Sequence, residues 1–264
     1  MFTDTGLLLS RLIFIGLIVE AFEILRLRQS FADGGMFSRS TLAIMTSGTR
    51  RQVRIGATLG ASTAISVAMV VQLLAAVTVI AVGLGVRVGI LAALICLTTN
   101  AFLRARRQIG SSGAEQLTFI VLVTFGLVIA AGGSEEARRL GDGFIAAQVI
   151  LAYVASGVSK AVSPVWRDGQ ALSRIMSAEG YGIPGVAALL LARPWIDKLL
   201  CWSVIAWEIS FPLVLIAPRP LMIALLLAGV IFHISCAVLM GLNRFVWAFC
   251  GCYPAVWATT MLLR

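Results

Sequence analysis

Long apolar runs, separated by short segments that hold most of the charge, set the pattern of this chain. The runs are Leu7–Leu25, Ala61–Leu84, Val86–Leu103, Leu117–Ala131, Phe144–Val162, Leu199–Ala217, Leu221–Leu242 and Phe245–Leu263. They are continuous instead of alternating, so each predicts a helix buried all round and not a barrel strand. Most approach the roughly 20 residues that a helix needs to cross a hydrocarbon core of about 30 Å. Lipid offers the backbone no hydrogen bonds, which leaves helices as the way across. The expected fold is an all-α polytopic transmembrane helical bundle with about seven or eight spans, read as a single membrane domain over residues 1–264.

Two of the runs carry irregularities. Only Gly85 separates the second run from the third, which predicts a tight hairpin or one broken element. Pro254 falls near the middle of the last run and predicts a kink or partial re-entry. Between the runs, residues 35–55 mix Met36, Phe37, Leu42, Ile44 and Met45 with Arg39, Arg50 and Arg51, an interfacial amphipathic pattern. In the connection 163–198, Val186–Ala192 is apolar but too short to span, so it is expected at the interface or re-entrant.

Composition supports the membrane reading. Apolar residues make up 59% of the 264 and charged residues 12%, with a mean hydropathy of +0.98. Soluble domains hold about 45–50% apolar and 25% charged residues. The formal charge of +9 does not point to nucleic acid, because the cations lie in short inter-run segments and not in a contiguous patch with stacking aromatics. Arg26, Arg28, Arg39, Arg50, Arg51 and Arg54 fill the first connection. Arg104, Arg106 and Arg107 fill the third, Arg167, Arg174, Arg193 and Lys198 the fifth, and Arg244 the seventh. Even connections hold Arg87, then Arg138 and Arg139, then Arg219. If all eight runs span, odd connections face the cytoplasm and the N-terminus lies outside. No basic region precedes the first run, so a cleaved signal peptide is not expected; a multi-pass protein of the cell membrane is.

Ionisable residues inside spans are costly and usually functional or paired. Arg11 and Glu23 stand near the ends of the first run and can snorkel, whereas Glu20 lies deeper and should be paired. Lys160 has Gly157, Ser156 and Tyr153 three, four and seven residues before it, all on its helical face. It reads either as a desolvated amine, usable as base or nucleophile, or as a lysine snorkelling to the headgroups. His233, the sole histidine, is mid-span and reads either as a base or as an interhelical hydrogen bonder; alone it builds no metal site. Glu208 is a counter-ion for Lys160 or for His233. Cys250-Gly251-Cys252 admits a redox reading beside that of two small buried residues, and no metal site is expected.

Two segments resemble a known family. The first runs Tyr153-Val-Ala-Ser-Gly157-Val-Ser-Lys160-Ala-Val-Ser-Pro-Val-Trp166-Arg-Asp168-Gly169-Gln-Ala171-Leu172, and the second runs Phe232-His233 through Gly241-Leu-Asn243-Arg-Phe245-Val-Trp247. Together they resemble the HTTM family, bacterial transmembrane relatives of the membrane domain of vitamin K-dependent gamma-carboxylase. In the second segment three residues, not one, separate Gly241 from Phe245. The resemblance implies that Lys160 is the base toward a reduced quinone and that His233 supports it. Tyr153, Gly157, Trp166, Asp168, Gly169, Glu208 and Asn243 would then shape a ligand site. A quinol-dependent carboxylase-like or oxygenase-like enzyme acting on a lipidic or peptide substrate is one expectation. A non-catalytic membrane partner for maturation or export of a secreted or membrane peptide or protein is the other. The carboxylase's propeptide-binding extramembrane domain has no counterpart in these 264 residues, so carboxylation of a protein is not expected.

Overall fold

The computed structural model describes residues 4–31, 35, 62–107, 112–180 and 182–264. Among them the chain is helical, with no strand. The amphipathic pattern read over 35–55 lies, apart from Gly35, outside the described residues. Among the described residues seven helices are long and apolar enough to cross a membrane, so the chain is all-α and polytopic. The first helix, which carries Arg11, Glu20 and Glu23, is not among the seven. Each long helix leaves large apolar side chains uncovered, such as Leu74, Leu91, Leu127, Leu151, Ile231 and Val238. In water such continuous apolar faces would drive association; in a bilayer they meet lipid.

Contacts divide the chain into two compact units, Met1–Ala137 and Arg138–Arg264. In the first, α1 (Asp4–Arg26) packs on α2 (Ser62–Val82), α2 on α3 (Arg87–Arg107), and α3 on α4 (Gly113–Ala130). Ala21 and Ile24 of α1, Ile65 and Met69 of α2 and Leu103 of α3 form a shared core. The hairpin expected around Gly85 turns on Gly83, in the left-handed region at φ +74°. Gly89 backs onto the Gly83 carbonyl so closely that no Cβ fits there. The helix α4 starts on a capping box: the Ser112 hydroxyl accepts from the Glu115 N–H at 3.2 Å, and the Glu115 carboxylate accepts from the Ser112 N–H at 3.2 Å. Glu20 is paired, as its depth implied: its Oε2 accepts from Gln72 at 3.3 Å and from Asn100 at 3.2 Å.

The second unit is organised by α5 (Glu135–Val162), α9 (Pro194–Ser210) and α10 (Arg219–Met240). Three short helices join α5 to α9: α6 (Pro164–Arg167), α7 (Ala171–Met176) and α8 (Pro184–Ala192). Proline opens α6, α8 and α9, where its missing N–H costs nothing. The buried Asp197 of α9 ties this connection down by accepting from the N–H groups of Leu172 at 3.2 Å and Ser173 at 3.0 Å. A 3₁₀ turn (Phe211–Leu215) extends α9, and Gly241, at φ +70°, ends α10.

The final apolar run differs from its expectation. After the single turn α11 (Asn243–Phe245) comes a π-helical turn (Val246–Cys250), and α12 (Tyr253–Leu262) begins afresh. Pro254 therefore lies in the first turn of α12 instead of kinking a helix interior, and the irregular backbone falls one turn upstream.

Candidate functional site

Two polar layers lie inside the second unit, one built on Lys160 and the other on Tyr153, seven residues or about two turns earlier on α5. The outer layer is built on Lys160. Its Nζ donates to both carboxylate oxygens of Glu208, at 2.8 and 2.7 Å, and to the hydroxyl of Ser156. Ser156 in turn donates to Glu208 at 3.1 Å. The three protons of the ammonium thus meet three oxygens. The Lys160 side chain retains 17% of its exposure and Glu208 retains 3%, so the pair is mostly buried and only its lysine side is partly open. The Trp166 ring lies over the ammonium at 5.2 Å, within cation–π range. Of the two counter-ion roles left open for Glu208 by the sequence, the structure takes Lys160.

Gly157 lets α5 and α9 approach closely enough for this pair. A Cβ there would stand 2.9 Å from the Glu208 Cβ and 2.9 Å from the Ile209 side chain. Any larger residue would push apart the two helices that carry the ion pair.

The inner layer is built on His233. Its Nε2 shares a 2.7 Å hydrogen bond with the Tyr153 hydroxyl, which shares a 2.9 Å bond with the Tyr253 hydroxyl. Phe249 of the π turn stacks on the imidazole with ring centres 4.7 Å apart, and Phe245 stacks beyond it at 6.2 Å. Tyr153 also meets Trp207 at 4.8 Å and Phe211 at 4.4 Å. These aromatic contacts exclude water and hold the ring planes. His233 is 2% exposed, and its Nδ1 has no hydrogen-bond partner among the described residues. Whichever tautomer is present, the ring therefore keeps one hydrogen-bonding position unused.

The remaining residues expected at the site fall elsewhere. Asp168 is exposed and closes α6, donating its N–H to the Pro164 carbonyl at 2.8 Å. Gly169 serves the turn that follows: it sits at φ +73° and abuts Lys198, so no side chain fits. Asn243 is exposed and opens α11. Cys250 and Cys252 are free thiols, the second fully buried.

Sequence reasoning did not single out Tyr253, which completes the inner chain of hydroxyls. Its one sequence signal was an aromatic with a hydroxyl inside an apolar run beside Pro254. Gly229 was also missed; it faces Tyr253 and Trp207 so closely that a Cβ would collide with both. Among the described residues no group of three or more His, Cys, Asp or Glu is placed to hold a metal ion. In comparisons with known proteins, the chain matches no family model, no curated protein and no solved structure.

Proposed function

We propose that this chain is an HTTM-type protein of the cell membrane whose outer polar layer receives a quinone-like or lipidic ligand. The single observation that carries the reading is the partly exposed Lys160 side chain, its ammonium fixed by Glu208 and Ser156 under the face of Trp166. A ligand oxygen reaching it would displace the Ser156 hydroxyl or one carboxylate oxygen and accept a charge-assisted hydrogen bond. Trp166 offers an apolar wall on the same side. The unused Nδ1 of His233, beside Tyr153 about two turns from Lys160 along α5, is a second polar group near it with a free hydrogen-bonding position.

A reduced quinone, if it is the ligand, would supply the redox chemistry. The protein's own residues would bind, orient and hold a proton. Paired with Glu208, Lys160 is an ammonium and therefore a donor. It becomes a base only after passing a proton to the carboxylate it already touches, and Glu208 is the group in place to take it. This reading predicts that Lys160→Ala abolishes ligand retention while the protein still inserts.

A second reading is favoured by the same contact seen differently. An ammonium with all three protons engaged is also what a tie between helices looks like, which suits a non-catalytic partner in maturation or export of another protein. Mass spectrometry of detergent-purified wild type and Lys160→Ala separates the two. A quinone or lipid held by wild type and lost in the variant supports the ligand site. No specific ligand in either, with the same protein co-purifying with both, supports the partner.

A further inference from the structure

We propose that the connection between α5 and α9 forms a docking surface for anionic phospholipid headgroups of the bilayer. The connection runs from Val162 to Pro194, the ends of two helices that are each long and apolar enough to cross the membrane. The segment between them therefore sits where hydrocarbon gives way to headgroups.

Its side chains suit that depth. Leu189 and Leu191 of α8 and Trp195, Leu199 and Trp202 of α9 are between 44% and 65% exposed, too apolar a set for bulk water. The helix α8, at nine residues, is far too short to span. Indole rings beside exposed leucines are the usual occupants of the interface.

Charge selects the lipid. Arg167, Arg174, Arg193 and Lys198 are exposed here against the exposed acids Asp168 and Glu179, so four cations less two anions leave an exposed charge of +2, and +1 once the buried Asp197 is counted. The third acid of the segment, Asp197, is buried and spent on backbone N–H groups. The cations are gathered by the fold. Gly169 abuts Lys198, which brings α9 against the turn after Arg167, and the Trp202 indole donates to the Arg167 carbonyl at 3.2 Å. Arg167, Lys198 and Trp202 thus form one patch from two elements, held by a turn that admits only glycine. A phosphodiester at this depth meets guanidinium and ammonium beside the indole ring while its acyl chains lie along the exposed leucines.

The surface makes no use of the Lys160–Glu208 pair, so its test is independent of the ligand reading. Native mass spectrometry of the detergent-purified protein, titrated with phosphatidylglycerol and phosphatidylcholine at equal concentration, should show retention of the anionic lipid, declining as salt is raised. Arg167→Gln with Lys198→Gln should cut phosphatidylglycerol affinity at least about tenfold, at roughly 1 kcal/mol per cation near the surface. Arg87→Gln, an exposed cation at the start of α3, should leave it unchanged. Equal retention of both lipids by wild type overturns the proposal, as does a preference that survives in the double variant. Should the double variant not fold, the wild-type salt series decides alone, because a preference indifferent to salt excludes a headgroup charge site.

Discussion

Removing the Glu208 carboxylate leaves the Lys160 ammonium among apolar helices with Ser156 as its one remaining side-chain oxygen. Breaking a fully buried pair costs about 3–5 kcal/mol, and the open lysine side lowers that here, so Glu208→Gln should destabilise by about 1–3 kcal/mol. Lys160→Met combined with Glu208→Gln should be less destabilised than the sum of the singles; additive losses in thermal unfolding would show that the contact carries no coupling. In the inner layer, Tyr153→Phe removes the hydroxyl that serves both His233 and Tyr253. It should cost about 1–3 kcal/mol, because both nitrogens of a buried imidazole are then unpartnered. An unfolding midpoint unchanged from wild type would mean that the hydroxyl chain contributes nothing. Lys160, Glu208 and His233 were legible in the sequence because ionisable groups are rare in apolar runs. Their partners were not: Lys160 finds Glu208 48 residues on, and Tyr153 finds His233 80 residues on, distances at which no local pattern survives.

Helices were the most legible feature, since a continuous apolar run admits little else in lipid, and their ends depended on local chemistry that the runs do not display. The helix α5 starts nine residues before the apolar run Phe144–Val162, because Glu135 and Glu136 in its first turn suit a helix N-terminus. The break at 246–252 was hidden for the opposite reason: the sequence there is apolar throughout, and a proline two residues later drew the kink to itself. At this scale the cap of α4 is a direct test. Ser112→Ala should cost about 0.5–2 kcal/mol by orphaning the Glu115 N–H, whereas Ser112→Asp should restore most of it. Equal stability of the three proteins in denaturant would remove the capping box from the account. Gly89→Ala should be worse than either, as its methyl would meet the Gly83 carbonyl and splay the α2–α3 hairpin.

For the whole molecule, the seven apolar helices among the described residues, with their uncovered leucine and valine faces, require that the protein remain in the membrane pellet through alkaline carbonate extraction and come out with detergent. Release by carbonate would contradict the polytopic reading. One helix does not match the others in length. With 28 residues α5 extends about 42 Å, against a hydrocarbon core of about 30 Å. The surplus is the nine residues before the apolar run Phe144–Val162, which hold Glu135, Glu136, Arg138, Arg139 and Asp142 and protrude at the N-terminal end; Lys160 stands two residues from the other end, at the edge of the apolar run. Hydrophobic mismatch therefore reaches the ammonium directly: a thicker bilayer draws Lys160 toward the acyl chains, and a thinner one lifts it among the phosphates.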